Sequence, residues 1–224
     1  MTAAVSMPGI PARAARSALG RSLPRWLRCR LGGPGTLYHA SNALVLLVAS
    51  AVFLHAQNAS WTLGAFTRHL IRGEPGAAIL SIGALLFFLG AEAYHRGSAE
   101  GHRSAIQLGD AATALGSLAY ASSLMIYGGS AFAAASGCLL FLIKAMLASA
   151  PFFLGGGLAP RSESAFRRAC VIVRLPAIAC LIVLLSRRLT AGTWDASTLV
   201  LAALLSSYLM CALADFLLSR HAAN

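Results

Sequence analysis

Acidic side chains are scarce in this 224-residue chain: seven Asp and Glu stand against 18 Lys and Arg, and only 11% of residues are charged. A water-soluble domain carries roughly a quarter charged residues, so an ordinary soluble globule is excluded. Lysine is rarer still, with Lys144 the single one. The five cysteines, at 29, 138, 170, 180 and 211, form no C-x-x-C pair. An odd, scattered set excludes a disulfide framework and a structural zinc site. Missing too are a nucleophile elbow, an H-E-x-x-H motif and a G-x-G-x-x-G turn, and Gly155, Gly156 and Gly157 lack the lysine of a phosphate loop. No catalytic residue and no cofactor is therefore expected, and the chain reads as non-enzymatic. No aromatic-interleaved basic fold is present either, so nucleic acid is not an expected partner.

What is abundant is apolar chain: 58% of residues are hydrophobic and the mean hydropathy is +0.71. Six apolar segments can be drawn, at Leu37 to Ala56, Gly76 to Tyr94, Ala111 to Tyr127, Ser130 to Phe153, Ala169 to Leu185 and Ala196 to Leu218. Each is about 17 to 24 residues long, close to what roughly 30 Å of hydrocarbon needs at about 1.5 Å per residue. The expected fold is an all-α integral membrane protein, a six-helix transmembrane bundle over residues 37–218. A basic tail precedes it at 1–36, and a short tail follows at 219–224. Gly128 and Gly129 are expected to close a tight hairpin between the third and fourth spans.

The N-terminal tail holds Arg13, Arg16, Arg21, Arg25, Arg28 and Arg30 with no acid, and Pro8, Pro11, Pro24 and Pro34 interrupt it. It reads as disordered or as lying in the headgroups, with Leu19, Leu23, Trp26, Leu27 and Leu31 as its apolar edge. Arg21, Arg25, Arg28, Arg167 and Arg168 are the expected contacts to anionic lipid headgroups. Counting arginines on alternate connections puts both termini on the cytoplasmic or matrix side. The expected location is a multi-pass membrane protein of a bacterial inner membrane, with an organellar membrane as the alternative because the Arg-rich start also suits a transit peptide.

Ionisable residues within a span each cost roughly 2.5 to 3.5 kcal/mol near the membrane centre, which makes them informative. Glu92, His95, Asp110, Lys144, Arg174 and Asp215 fall toward one face and are expected to form an intramembrane polar cluster. Around Gly90 to Asp110 a polar hairpin is expected at that face. Asp110 could serve as the N-cap of the third span. Lys144 lies nine residues before Phe153 and could snorkel if Pro151 ended its helix early, or else pair with a carboxylate. Pro176 is expected to kink the fifth span beside Arg174. Glu92 and His95 at i, i+3, with His102 in the hairpin, are the candidate metal ligands. Asp110-Ala-Ala-Thr113 resembles Asp195-Ala-Ser-Thr198, which would suit an inverted three-plus-three repeat.

Three functions fit these residues. The first is a small carrier or channel-like protein for a small solute or proton. The second is an accessory or scaffold subunit of a larger membrane complex, with a homo-oligomer or other membrane chains as partners beside the bilayer itself. A metal-dependent enzyme acting on lipid is a distant third.

Overall fold

A computed structural model describes residues 33–128, 131–155 and 158–223, and these are helical apart from short connections. Among the described residues seven helices follow in order: α1 Pro34–Ala56, α2 Leu63–Ile71, α3 Pro75–Glu100, α4 Arg103–Gly128, α5 Ala131–Leu154, α6 Pro160–Thr190 and α7 Ala196–Ala223. The headgroup arginines Arg21, Arg25 and Arg28, most of the basic tail, the Gly129 side of the expected hairpin turn and Gly156 and Gly157 lie outside the described residues. Of these described helices five, α1, α3, α5, α6 and α7, are long and apolar enough to cross a membrane. The chain is a helical multi-pass membrane protein on that evidence. α4 is as long as α3 but carries Thr113, Ser117, Ser122 and Ser123 on its turns and is not among the five.

Several boundaries move outward from those expected from hydropathy. Pro34, Pro75 and Pro160 sit in the first turn of α1, α3 and α6, where a missing N–H leaves no bond unmade and the fixed φ suits a helix. Hydropathy registers lipid contact and helices extend beyond it. The polar stretch from Gly90 to Asp110 is thus not a hairpin loop. α3 runs through it to Glu100, α4 restarts at Arg103, and the reversal occupies only Gly101 and His102, with Gly101 at φ 71°. α5 continues through Pro151 and α6 through Pro176, each as one helix. Unexpected from hydropathy is α2, a nine-residue amphipathic helix capped by the Thr62 hydroxyl, which accepts from the Ala65 N–H at 3.1 Å. It exposes Leu63 and Ile71 and packs Phe66 edge-on against Phe53 of α1.

The six long helices close a ring. α1 packs on α3, α3 on α4, α4 on α5, α5 on α6, α6 on α7 and α7 back on α1, with α5–α6 the sparsest seam. Tyr38 near the start of α1 meets Asp215 near the end of α7, so these two helix ends share one end of the bundle. Asp110 and Asp195, whose similar contexts suggested an inverted repeat, occupy different places. Asp195 is the exposed cap of α7, accepting from the Thr198 N–H and the Ser197 and Thr198 hydroxyls. Asp110 lies two turns inside α4 and fully buried, so it is no N-cap.

Candidate functional site

Each of the six long helices contributes to one buried polar network at the end of the bundle where α1 starts. α1 brings Tyr38, α3 Tyr94, α4 Asp110, α5 Lys144, α6 Arg167 and Arg174, and α7 Asp215; all are 3% exposed or less. Asp215 accepts from Lys144 Nζ at 3.0 Å, from the Tyr38 hydroxyl at 2.5 Å and from the Arg174 guanidinium. Asp110 accepts a two-pronged contact from Arg167, at 3.2 and 2.9 Å, and a bond from the Tyr94 hydroxyl at 2.6 Å. The two carboxylate centres are joined through Lys144, which donates to the Tyr94 oxygen at 2.9 Å and stands 3.7 Å from Asp110. Arg167 also binds Glu163 at 2.9 Å.

Three cations thus face three carboxylates, which is how a low-dielectric interior tolerates them. The two tyrosine rings stack with centroids 4.9 Å apart, and the Lys144 ammonium lies 5.1 and 5.2 Å from their centres. Negative ring faces and two carboxylates together replace the water that the ammonium gave up. Tyr94 fits because Gly109 leaves room for its ring: a Cβ at 109 would stand 2.7 Å from Tyr94 Cδ1. Thr113, whose hydroxyl donates back to the Gly109 carbonyl at 2.7 Å, lies 3.1 Å from the Tyr94 hydroxyl and closes the side of the site.

Cavities flank this network. One of about 80 Å³ is bounded by Arg174, Ser41, Ser207, Cys211 and Tyr120 on its polar side and by Leu124, Leu140 and Leu204 on its apolar side. A smaller one of about 40 Å³ reaches Asp110, Glu163 and Arg167 together with Arg103 and Gln107. A water needs only about 10 to 15 Å³ by this measure, so each has room for more than one. Hydrogen bonds run from Asp110, which borders the smaller cavity, through Tyr94 and Lys144 to Asp215 and Tyr38, and Arg174 of the larger cavity also binds Asp215.

Of the six residues expected to cluster, the structure brings together Asp110, Lys144, Arg174 and Asp215. Glu92 and His95 stand apart. The Glu92 carboxylate, about one-third exposed, takes Arg96 Nε at 3.3 Å and lies 3.7 Å from His39. His95 is half-buried one turn away, and His102 pairs with Glu100 at 2.9 Å in the exposed turn. Among the described residues no three His, Cys, Asp or Glu side chains gather as metal ligands, so Glu92, His95 and His102 do not form the expected set. Snorkelling of Lys144 is overturned as well, because α5 continues to Leu154 and holds the side chain inward.

Arg167 is the further correction. It was expected to contact anionic headgroups together with Arg168. With α6 starting at Pro160, Glu163, Arg167, Cys170 and Arg174 recur at helical spacing on one face, and Arg167 turns inward while Arg168 stays exposed. That charged stripe was the signal available for Arg167. For Tyr38 and Tyr94 there was little: a tyrosine near a span end is an ordinary interfacial anchor. No protein-family model, curated protein or solved structure matches the chain.

Proposed function

We propose that this chain is a small membrane carrier that moves protons, with α4 as the sixth spanning helix and the network as its relay. The observation that supports this most is the hydrogen-bonded path Asp110–Tyr94–Lys144–Asp215–Tyr38, with Asp110 bordering the smaller cavity and Asp215 bonded to Arg174 of the larger one. Carboxylate, phenol and ammonium can each give up and take back a proton. Arg167 and Arg174 stay charged, and they hold the two carboxylates in place beside Tyr94, Lys144 and Tyr38. Size favours the proton over a larger solute at the network, because small-molecule pockets run to about 300 Å³ or more and the larger of the two cavities beside the network is about 80 Å³. Intramembrane ionisable chains of this kind are the usual material of proton pathways.

Arginine placement supports an orientation with the network end inward: Arg96, Arg103, Arg161, Arg168 and Arg220 belong to that end, and Arg68, Arg72, Arg187 and Arg188 to the other.

The test is proton flux into liposomes holding the purified protein and a pH-sensitive dye, driven by a potassium diffusion potential. Wild type should acidify the vesicles faster than protein-free controls. Asp215→Asn and Tyr94→Phe should slow it by about tenfold or more, the equivalent of one buried charge-assisted hydrogen bond, while Glu92→Gln leaves it unchanged. Folded wild-type protein that moves no protons sinks the proposal. The second reading, an accessory subunit, is favoured by the short connections between described helices, which leave little soluble surface of its own. Native mass spectrometry after gentle extraction separates the two: other polypeptides in fixed ratio speak for the subunit, one chain type for the carrier.

A further inference from the structure

We propose that the first two turns of α6 bind a phosphate-bearing headgroup, that of an anionic glycerophospholipid, between Arg161 and Arg168. A groove there is lined by Arg161, Ser164, Ala165 and Arg168, residues that share a face at i, i+3, i+4 and i+7. Arg161 and Arg168 are exposed, two turns apart. Between them Ser164 lines the groove at 4% exposed, and its buried hydroxyl has no hydrogen-bond partner. A buried hydroxyl left unpaired is costly, and a phosphate oxygen seated between the arginines would accept from it.

Two further features point to an anion. α6 begins at Pro160 without a side-chain cap; the Glu163 N–H donates to the Ala159 carbonyl at 2.9 Å, while those of Arg161 and Ser162 are helix-start donors with no intrahelical acceptor and add positive potential. The acid of that turn, Glu163, is committed to Arg167 through bonds of 3.1 and 2.9 Å to one of its oxygens. Lipid is favoured over free phosphate by what precedes the groove in the chain. Phe152 and Phe153, at the end of α5, are more than four-fifths exposed, a surface suited to acyl chains. The site does not depend on proton transport.

The experiment is native mass spectrometry of the full-length protein in detergent, titrated with dioleoyl phosphatidylglycerol, dioleoyl phosphatidylcholine or inorganic phosphate. Arg161→Gln with Arg168→Gln, Ser164→Ala, and the charge-matched control Arg187→Gln with Arg188→Gln run alongside, each first shown to keep the wild-type melting temperature. The expected result is retention of phosphatidylglycerol over phosphatidylcholine, weakened on the order of tenfold when Arg161 and Arg168 are both replaced, since each guanidinium attracts the anionic headgroup. Ser164→Ala should weaken it by a smaller factor, and the control should leave it intact. Equal loss in the control overturns the site in favour of undirected charge. Inorganic phosphate that binds alone and displaces the lipid overturns the headgroup assignment.

Discussion

At the scale of single residues, Lys144 joins the two halves of the network. It is the only lysine in the chain, fully buried, and it touches a carboxylate and two aromatic rings. Removing one member of a buried ion pair costs about 3 to 5 kcal/mol, because the charge left behind keeps its desolvation penalty. Lys144→Met should therefore lower stability in detergent by that amount, read from denaturant titration. Tyr94→Phe should cost only about 1 to 2 kcal/mol, since Asp110 keeps both prongs of Arg167 after the hydroxyl is gone. A snorkelling lysine would make Lys144→Met nearly silent. The deep charges were visible in the sequence because charge is rare in apolar runs. Their partners were not, since pairing residues lie as far apart as Tyr38 and Asp215 and no local pattern relates them.

At the scale of elements, close approach and caps decide how the helices sit. A Cβ on Gly137 of α5 would come within 2.3 Å of Ala121 Cβ on α4, far inside contact distance. Gly137→Leu should thus force the two helices apart and cost more than the roughly 1 to 3 kcal/mol typical of overpacking. Gly64→Ala on α2, with nothing within 4 Å of its Cβ, should leave the melting temperature unchanged or raise it. The start of α7 is held differently. Hydrogen bonds from Ser197 and then from Thr198, through its N–H and its hydroxyl, keep the exposed Asp195 carboxyl well below the usual carboxylate range. A carboxylate depressed in the folded state adds stability above its unfolded pKa and loses it as pH falls through the folded one. Amide exchange at Thr198 should accordingly stay slow while ordinary carboxylates protonate and quicken only at more acid pH. Asp195→Asn should remove that pH dependence.

At the scale of the whole molecule, a ring in which every long helix contributes to one network should melt as a unit. Trp61 and Trp194 lie in connections at the end of the bundle away from the network. In a Trp26→Phe background, their fluorescence change on heating should coincide with the loss of helical circular dichroism. Lys144→Met should move both transitions down together. If the tryptophan signal stayed in place while helicity shifted, the two ends of the ring would be independent and the network a local lock.

The sequence by itself determined the class of the molecule, the approximate place of its long helices and four of the buried charges: Asp110, Lys144, Arg174 and Asp215. Apolar run length and the rarity of charge are local properties, and a bilayer-like environment acts on them directly. Only the tertiary structure decided that Glu92 and His95 stand aside, that Arg167 turns inward, and that Tyr38 and Tyr94 complete the chain of bonds. Those outcomes depend on which face each helix turns to its neighbours, and on helices continuing beyond the apolar core. Hydropathy does not encode that choice: packing around glycines and the pairing of opposite charges across the ring select it.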